Sequence, residues 1–427
     1  MSVAMYIGGA DNVRNVFTLT PGGTIEVGDV FIVGLGLASI SVSATATTVA
    51  QTCLDIYAAL TDEDAPVEFS VITWELDDPT TPTKITGTGP EDGRPIYASI
   101  TVNTTEAGGG AADTQTFVKA QVTAATGSKH WDNVDNWSGG AVPVNGDEVY
   151  IGTHDVAPQY ALDQSTLALD ELHIVSCGTA GLMVGLPPVN PNGYVEYLDT
   201  MLKCLPTLVV VGEGAGNNIP ALRLNSLAGT ATAMRVLRTE SRDGNGNAPV
   251  YWIPEEPSTI ADCRGALDVS TEPDDAGDTI STTVISSGGD IKAGSACPMT
   301  TITNNGGTLD LTCTTMPTTL TLRDGASAVI RSSGSGTITD LRQDAGSFLD
   351  WRATGTVTNY YSSGSLETIN DGRGSKTFTN VSLYAGAVVN DPNKVLTFTN
   401  GIDLVQCGLA DVVLNLGKHL TVQRSAI

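Results

Sequence analysis

The side chains best suited to chemistry in this 427-residue chain fall into a few short motifs. Asp274-Asp275-x-x-Asp278 gathers three carboxylates, the kind of cluster that binds a metal or supplies paired acid and base to a glycosidic bond. Its Pro-Asp-Asp-Ala-Gly-Asp context reads as a solvated turn, and no basic residue stands beside it. Asp243-x-Asn245-x-Asn247 alternates oxygen-bearing side chains as a calcium loop does. Its sixth place is Ala248 instead of glycine and its twelfth is Pro254 instead of glutamate, so a simple turn is the favoured reading. These are the candidate catalytic and calcium positions. The four histidines, His130, His154, His173 and His419, are scattered, and no His-x-x-x-His pair occurs. His173 falls in a strand and reads as a packed side chain. Gly212-Glu213-Gly214-Ala215-Gly216 follows a strand, yet Asn-Asn-Ile-Pro after it does not open a helix, as a phosphate-cradling loop requires. Nucleophile-elbow and phosphate-loop signatures are missing as well. No enzyme and no cofactor is expected.

Composition narrows the partners. The formal charge is −26, which repels phosphate backbones and anionic lipid, so neither nucleic acid nor membrane is expected. Residues 1–160 carry −15 of that charge and the remainder −11, a shift that suggests a domain border near 125–150. No stretch approaches the ~18 apolar residues of a membrane span, and the start lacks the basic and apolar runs of a secretory leader. Seven cysteines, an odd number without Cys-x-x-Cys, read as buried thiols made in a reducing cytoplasm. Cys297 and Cys313 lie nearly one repeat apart and are expected to stack. Forty-seven glycines and 20 prolines, few charges and many Thr, Ser and Val describe an all-β chain with many tight turns.

The elements that must position these residues divide the chain in three. Residues 1–125 read as a small β-rich domain. Val16–Leu19, Val30–Val33, Phe69–Trp74 and Ile96–Val102 are strand-like, and Val49, Cys53, Ile56 and Leu60 form one helical stripe capped by Thr47 or Thr48. Ala107–Asp113 is a linker. Residues 126–147 hold Trp131 and Trp137. Residues 148–427 read as strand only, irregular to about 281 with inserted loops at 185–206 and 240–260, and regular afterwards. There the glycines Gly289, Gly307, Gly325, Gly346, Gly364, Gly386 and Gly408 punctuate apolar–Thr strands such as Thr301-Ile302-Thr303 and Leu320-Thr321-Leu322. A period near 20 built from strands alone specifies a right-handed parallel β-helix. The loop at 185–206, which carries Tyr194 and Tyr197, is where recognition would sit. Arg323, Arg331, Arg342 and Arg352 are expected along one outer face, paired with Asp310, Asp324, Asp340, Asp344 and Asp350.

Two segments carry a resemblance. Residues 24–31, 44–50, 87–90 and 101–106 together look like a small attachment domain of tailed-bacteriophage structural proteins. Asn136-Trp137-Ser138-x-Gly140-x-Val142-Pro143-x-x-Gly146-Asp147 resembles the element that opens β-helical segments in phage and autotransporter-like surface proteins. The resemblance implies a virion structural protein assembled in the host bacterial cytoplasm. It would be a decoration, head-fibre, tail-fibre or spike, most often a homotrimer, bound to capsid or tail components and aiding host adhesion, with a host surface glycan as a further partner. Trp131 and Trp137 would then cap the open end of the β-helix, a place where terminal repeats need atypical residues; a sugar-stacking platform is the alternative. For the whole chain the alternatives are a β-helical polysaccharide lyase or hydrolase and a bacterial surface adhesin.

Overall fold

The computed structural model describes residues 2–103, 114–176, 182–214, 221–271, 281–294, 297, 299–312, 315–331, 336–368 and 376–416. Asp274, Asp275, Asp278, Cys177, Cys313, His419 and the 107–113 linker lie outside them. The fold is a parallel β-solenoid of about 11 turns preceded by a small β domain with two helices.

The shaft follows from one-sided alternation. A strand that buries every second residue presents a single apolar column when it stacks in register on its neighbours. One column runs unbroken through Val149, Leu172, Val209, Met234, Ile260, Val284 and Ile302. It continues through Leu320, Leu341, Tyr360, Val381 and Ile402. From Leu172 to Val381 every member is at most 3 % exposed, so this interior excludes water. A second face repeats the pattern with Leu222, Val250, Leu267, Ile291, Leu309, Ala328, Leu349, Leu366 and Val389. Irregularity before 281 lies in insertions between rungs and in register shifts within strands: Leu222 and Val250 are neighbours although 28 positions apart, against 18 from Ile291 to Leu309, and the ladder slips between Met234 and Arg235 and between Ile260 and Cys263.

Between the two faces the chain turns on the glycines read from the sequence. Gly307 has φ +83°, and a Cβ there would lie 2.1 Å from the carbonyl oxygen of Gly289 on the rung before, so no side chain fits. The neighbouring interior column is mixed, with Ser286, Asn304, Gln343 and Ser362 buried on either side of Leu322. The rungs supply partners for most of them, Asn304 Oδ1 excepted. Tyr360 donates to Gln343 Oε1 at 2.6 Å, and Gln343 Nε2 donates to the Ser365 carbonyl at 3.0 Å.

At the other corner the recurrent apolar-Thr-Asx triplet builds a ladder. Asn359 donates to Asp340 at 3.1 Å, Asn380 to Asn359 at 3.0 Å, and Asn400 to Asn380 at 2.7 Å. Asn380→Ala removes one donated and one accepted bond from an exposed chain of amides. A loss of about 1 kcal/mol is expected, read as a lower denaturation midpoint. Loss of the same size in Asn415→Ala, which breaks only the single bond to Asn390 at 2.8 Å, would argue against additive ladder bonds.

The front domain has two antiparallel sheets. Thr73–Leu76, Ile85–Thr88, Val16–Gly22 and Thr116–Thr123 form one, and Ala38–Ser43, Val30–Leu35 and Ala98–Asn103 the other. The helix Val49–Leu60 is capped by Thr48, whose Oγ1 accepts from Gln51 N at 3.3 Å, and it buries Cys53, Ile56 and Leu60. Phe69–Trp74 is not one strand as expected: Val67–Ser70 is a short helix and the strand begins at Thr73. Proline at 66 supplies the φ that starts the turn, and Phe69 is thereby pointed into the core. Residues 3–5 also leave the expected front domain. Val3–Met5 pairs in parallel with Glu148–Ile151 and forms the first rung of the shaft.

Candidate functional site

The loop between Met183–Val184 and Leu202–Glu213 is built from its own turn chemistry. Asn190-Pro-Asn-Gly193 reverses the chain: Gly193 has φ +92°, its N–H donates to the Asn190 carbonyl at 2.7 Å, and Asn190 N donates to the Tyr194 carbonyl at 2.7 Å. The following Glu196 and Tyr197 are thereby turned toward the front domain instead of toward solvent. Glu196 accepts from Arg94 Nη2 at 2.6 and 2.8 Å, from Asn190 Nδ2 at 3.0 Å and from Leu198 N at 3.0 Å. The two charged side chains are 8 % and 1 % exposed. Burial works to raise the Glu196 pKa, but the bonds from Arg94, Leu198 and Asn190 outweigh it and hold the carboxyl below its usual range. Arg94 is raised in turn by Glu196, against its own burial.

Aromatic rings complete this clamp. The Arg94 guanidinium lies 5.6 Å from the Tyr197 ring centre, and Tyr197 stacks on Tyr194 at 6.0 Å. Gly36, at the tip of a front-domain hairpin, approaches so closely that a Cβ would meet Tyr197 Cβ at 2.6 Å. Tyr160 donates to Asp92 at 3.2 Å, and His130 Nε2 contacts the Gly93 carbonyl at 2.8 Å. Beside the clamp a cleft of about 490 Å³ opens between the two units, lined by Asp92, Arg94, Lys129, Gln159, Tyr160, Asn192, Tyr194 and Glu196 among others. Two buried donors here, Arg94 Nε and Tyr194 Oη, have no hydrogen-bond partner. Each unmet group costs on the order of 1–3 kcal/mol. Burial pushes the Tyr194 hydroxyl up to about 12, so it is a neutral donor.

The residues singled out from sequence are dispersed. Asp243 spends its carboxylate inside its own loop. Oδ1 accepts from Asn245 N at 2.9 Å and Asn247 N at 2.8 Å, and Oδ2 accepts from Asn247 Nδ2 at 3.1 Å. These bonds, the Asn247 amide foremost, lower its pKa. Arg242 fastens the loop to the second face through Asp268 at 2.6 Å and Asp290 at 2.7 Å. His173 is buried, stacked on Tyr150 at 4.4 Å, with Glu171 and Glu213 each 2.7 Å from one ring nitrogen. No group of three or more His, Cys, Asp or Glu that could hold a metal occurs among the described residues. Burial pushes the free thiols of Cys53, Cys204 and Cys263 up to about 12, which makes them poor nucleophiles.

The arginines do not share a face as expected. Arg331 pairs with Asp310 at 2.8 Å and Arg352 with Asp350 at 2.7 Å beside the second face, while Arg342 lies over Tyr361 on the first. Strand alternation explains this: 331 and 352 follow second-face strands, whereas 342 is an outward position within a first-face strand.

Trp131 and Trp137 are 1 % and 2 % exposed and belong to the apolar cluster of the shaft. They meet edge-to-face at 4.9 Å, and Tyr6, next to the first rung, meets Trp137 at 5.0 Å. Asn136 fixes this junction. Its side chain donates to the Gly127 and His130 carbonyls at 2.8 and 2.7 Å and accepts from Ala10 N at 2.9 Å.

Sequence reasoning flagged the loop with Tyr194 and Tyr197 but missed Asp92, Arg94, Tyr160 and Glu196. One signal was available: Arg94 is one of only four basic residues in 1–125, set in a Glu-Asp-Gly-Arg-Pro turn. In comparisons with protein-family models, curated proteins and solved structures, nothing matches this chain.

Proposed function

We propose that this chain is a structural protein of a tailed-phage virion, a homotrimeric decoration, fibre or spike that projects from the particle and takes part in adhesion to the host surface. The observation that carries the reading is the shaft itself, an apolar column in continuous register from Val149 to Ile402. A stack of this kind makes a stiff, extended body whose backbone bonds run rung to rung. The front domain would attach it to capsid or tail components. Its surplus of acid fits a surface that must not stick to other molecules in the host cytoplasm where it assembles. Trp131 and Trp137 act as the end cap, since they cover core atoms that no earlier rung protects.

A polysaccharide-cleaving role finds less support. The two carboxylates of the junction cleft are already engaged, Glu196 by Arg94 and Asp92 by Tyr160. The experiment is immunogold labelling of purified virions with antibody against this chain, together with light scattering of the purified protein. Label at a fixed place on the particles and a mass about three times the 44.2 kDa of one chain are expected. Virions that never take label would overturn the assignment, and a monomer in solution would overturn the trimer.

A further inference from the structure

We propose that Asn400 is a site of spontaneous deamidation selected by the fold, converted in the native protein to aspartate and isoaspartate while the other Asn-Gly steps of the chain are held back. Glycine after asparagine leaves the following backbone nitrogen uncrowded, so that it can attack the side-chain amide. The chain has five such steps, beginning at Asn145, Asn192, Asn245, Asn305 and Asn400. Attack requires that the glycine nitrogen lose its proton, and four of the five commit that proton to a carbonyl. Gly146 donates to Ala168 at 2.8 Å, Gly193 to Asn190 at 2.7 Å, Gly246 to Asp243 at 2.9 Å and Gly306 to Arg323 at 3.0 Å. An amide held in this way releases its proton only when the structure opens locally. Gly401 differs. It is exposed, its N–H has no acceptor among the described residues, and nothing lies within 4 Å of the place a Cβ would take.

The step needs only water and hydroxide. With its proton passed to hydroxide, the Gly401 nitrogen bonds to Asn400 Cγ. The Cγ–Nδ2 bond breaks and that nitrogen leaves as ammonia, closing a cyclic imide. Water opens the imide on one side to aspartate and on the other to isoaspartate, whose backbone is longer by one carbon. The product has a consequence for the shaft. Asn400 Nδ2 donates to Asn380 Oδ1 at 2.7 Å, and a carboxylate has no proton to donate in its place. The Asx ladder thus ends one member earlier. The altered backbone also lies between Leu396–Phe398 and Ile402–Leu404, which both pair with Lys376–Leu383. Deamidation therefore loosens this rung and leaves the middle of the shaft untouched. The inference stands on this turn alone and does not require the virion assignment.

The test ages the full-length protein in warm, mildly alkaline buffer and maps its peptides by mass spectrometry, beside a second sample kept unfolded in denaturant. In the unfolded sample the five asparagines should convert at similar rates. In the native sample Asn400 should convert first, about fivefold faster than any of the other four, which is the rate equivalent of one backbone hydrogen bond. The converted fraction should exchange its amide hydrogens faster through 396–404 and at the original rate through 299–343. Conversion of Asn192 or Asn245 as fast as Asn400 in the native sample would overturn the proposal. So would an Asn400 that stays intact there while it converts in denaturant. Unchanged exchange through 396–404 after conversion would overturn the effect assigned to the rung.

Discussion

Leu320→Asp is expected to break the shaft in its middle. Leu320 is fully buried, paired in register with Ile302 below and Leu341 above. A carboxylate at that position would be surrounded by aliphatic carbon, and its ionised form would be far costlier than the leucine it replaces. The expected loss is on the order of 5 kcal/mol or more. Each rung touches only its neighbours, so the damage is local first: the rungs on either side lose one of their two stacking partners. Limited proteolysis should therefore produce new cuts within 299–343, and denaturant unfolding should separate into two transitions where wild type shows fewer. Leu320→Ile keeps volume and apolarity and should cost less than about 1.5 kcal/mol. A Leu320→Asp protein with the wild-type midpoint and cleavage pattern would mean that the interior column is not dry.

How much of this fold the sequence displayed depends on the range of the interactions involved. The shaft was legible because its rule is local and repeated. Triplets such as Ile338-Thr-Asp340, Val357-Thr-Asn359 and Phe378-Thr-Asn380 recur at the stacking interval, and glycines mark the corners, through a positive φ at Gly307, Gly325, Gly346 and Gly386 and through a Cβ clash with the rung before at Gly289 and Gly307. The same triplets held the signal for the Asx ladder, since any side chain repeated at the rung period must lie over its predecessor. The helix at 49–60 was legible for the same reason, a stripe and a cap within thirteen residues.

What escaped was non-local. Val3–Met5 joins the first rung through pairing with residues more than 140 positions away, and three residues carry no period. Arg94 and Glu196 are 102 positions apart, and each is a single charge in a loop, indistinguishable in sequence from a solvated one. The division of the arginines between two faces was lost because corner residues shift the alternation by an amount that the repeat length does not reveal. The loop at 185–206 was recognised as an insertion. Its role as the contact to the front domain depends on that domain's hairpin tip, which only the fold brings near.

Arg94→Ala tests that contact most directly. The substitution leaves Glu196, whose side chain is 1 % exposed, with bonds from Asn190 and Leu198 but no cation. Removing one member of a buried pair costs about 3–5 kcal/mol, most of it the penalty of the charge left behind. Hydrogen exchange should rise at the hairpin tip around Gly36 and through 185–201, while the distal rungs keep their protection. Arg94→Met with Glu196→Leu removes both charges and should recover most of the loss, because an apolar pair of similar volume is often as stable as the ions. The pH dependence has a fixed sign. Glu196 is held below its ordinary value, so its contribution is complete above the unfolded pKa of about 4.3 and fades as pH falls through the lower folded value. The stability gap between wild type and Arg94→Ala should therefore be widest near neutrality and narrow in acid. A gap that widened in acid, or a double variant no more stable than the single one, would mean that the pair is not what fastens the front domain to the shaft.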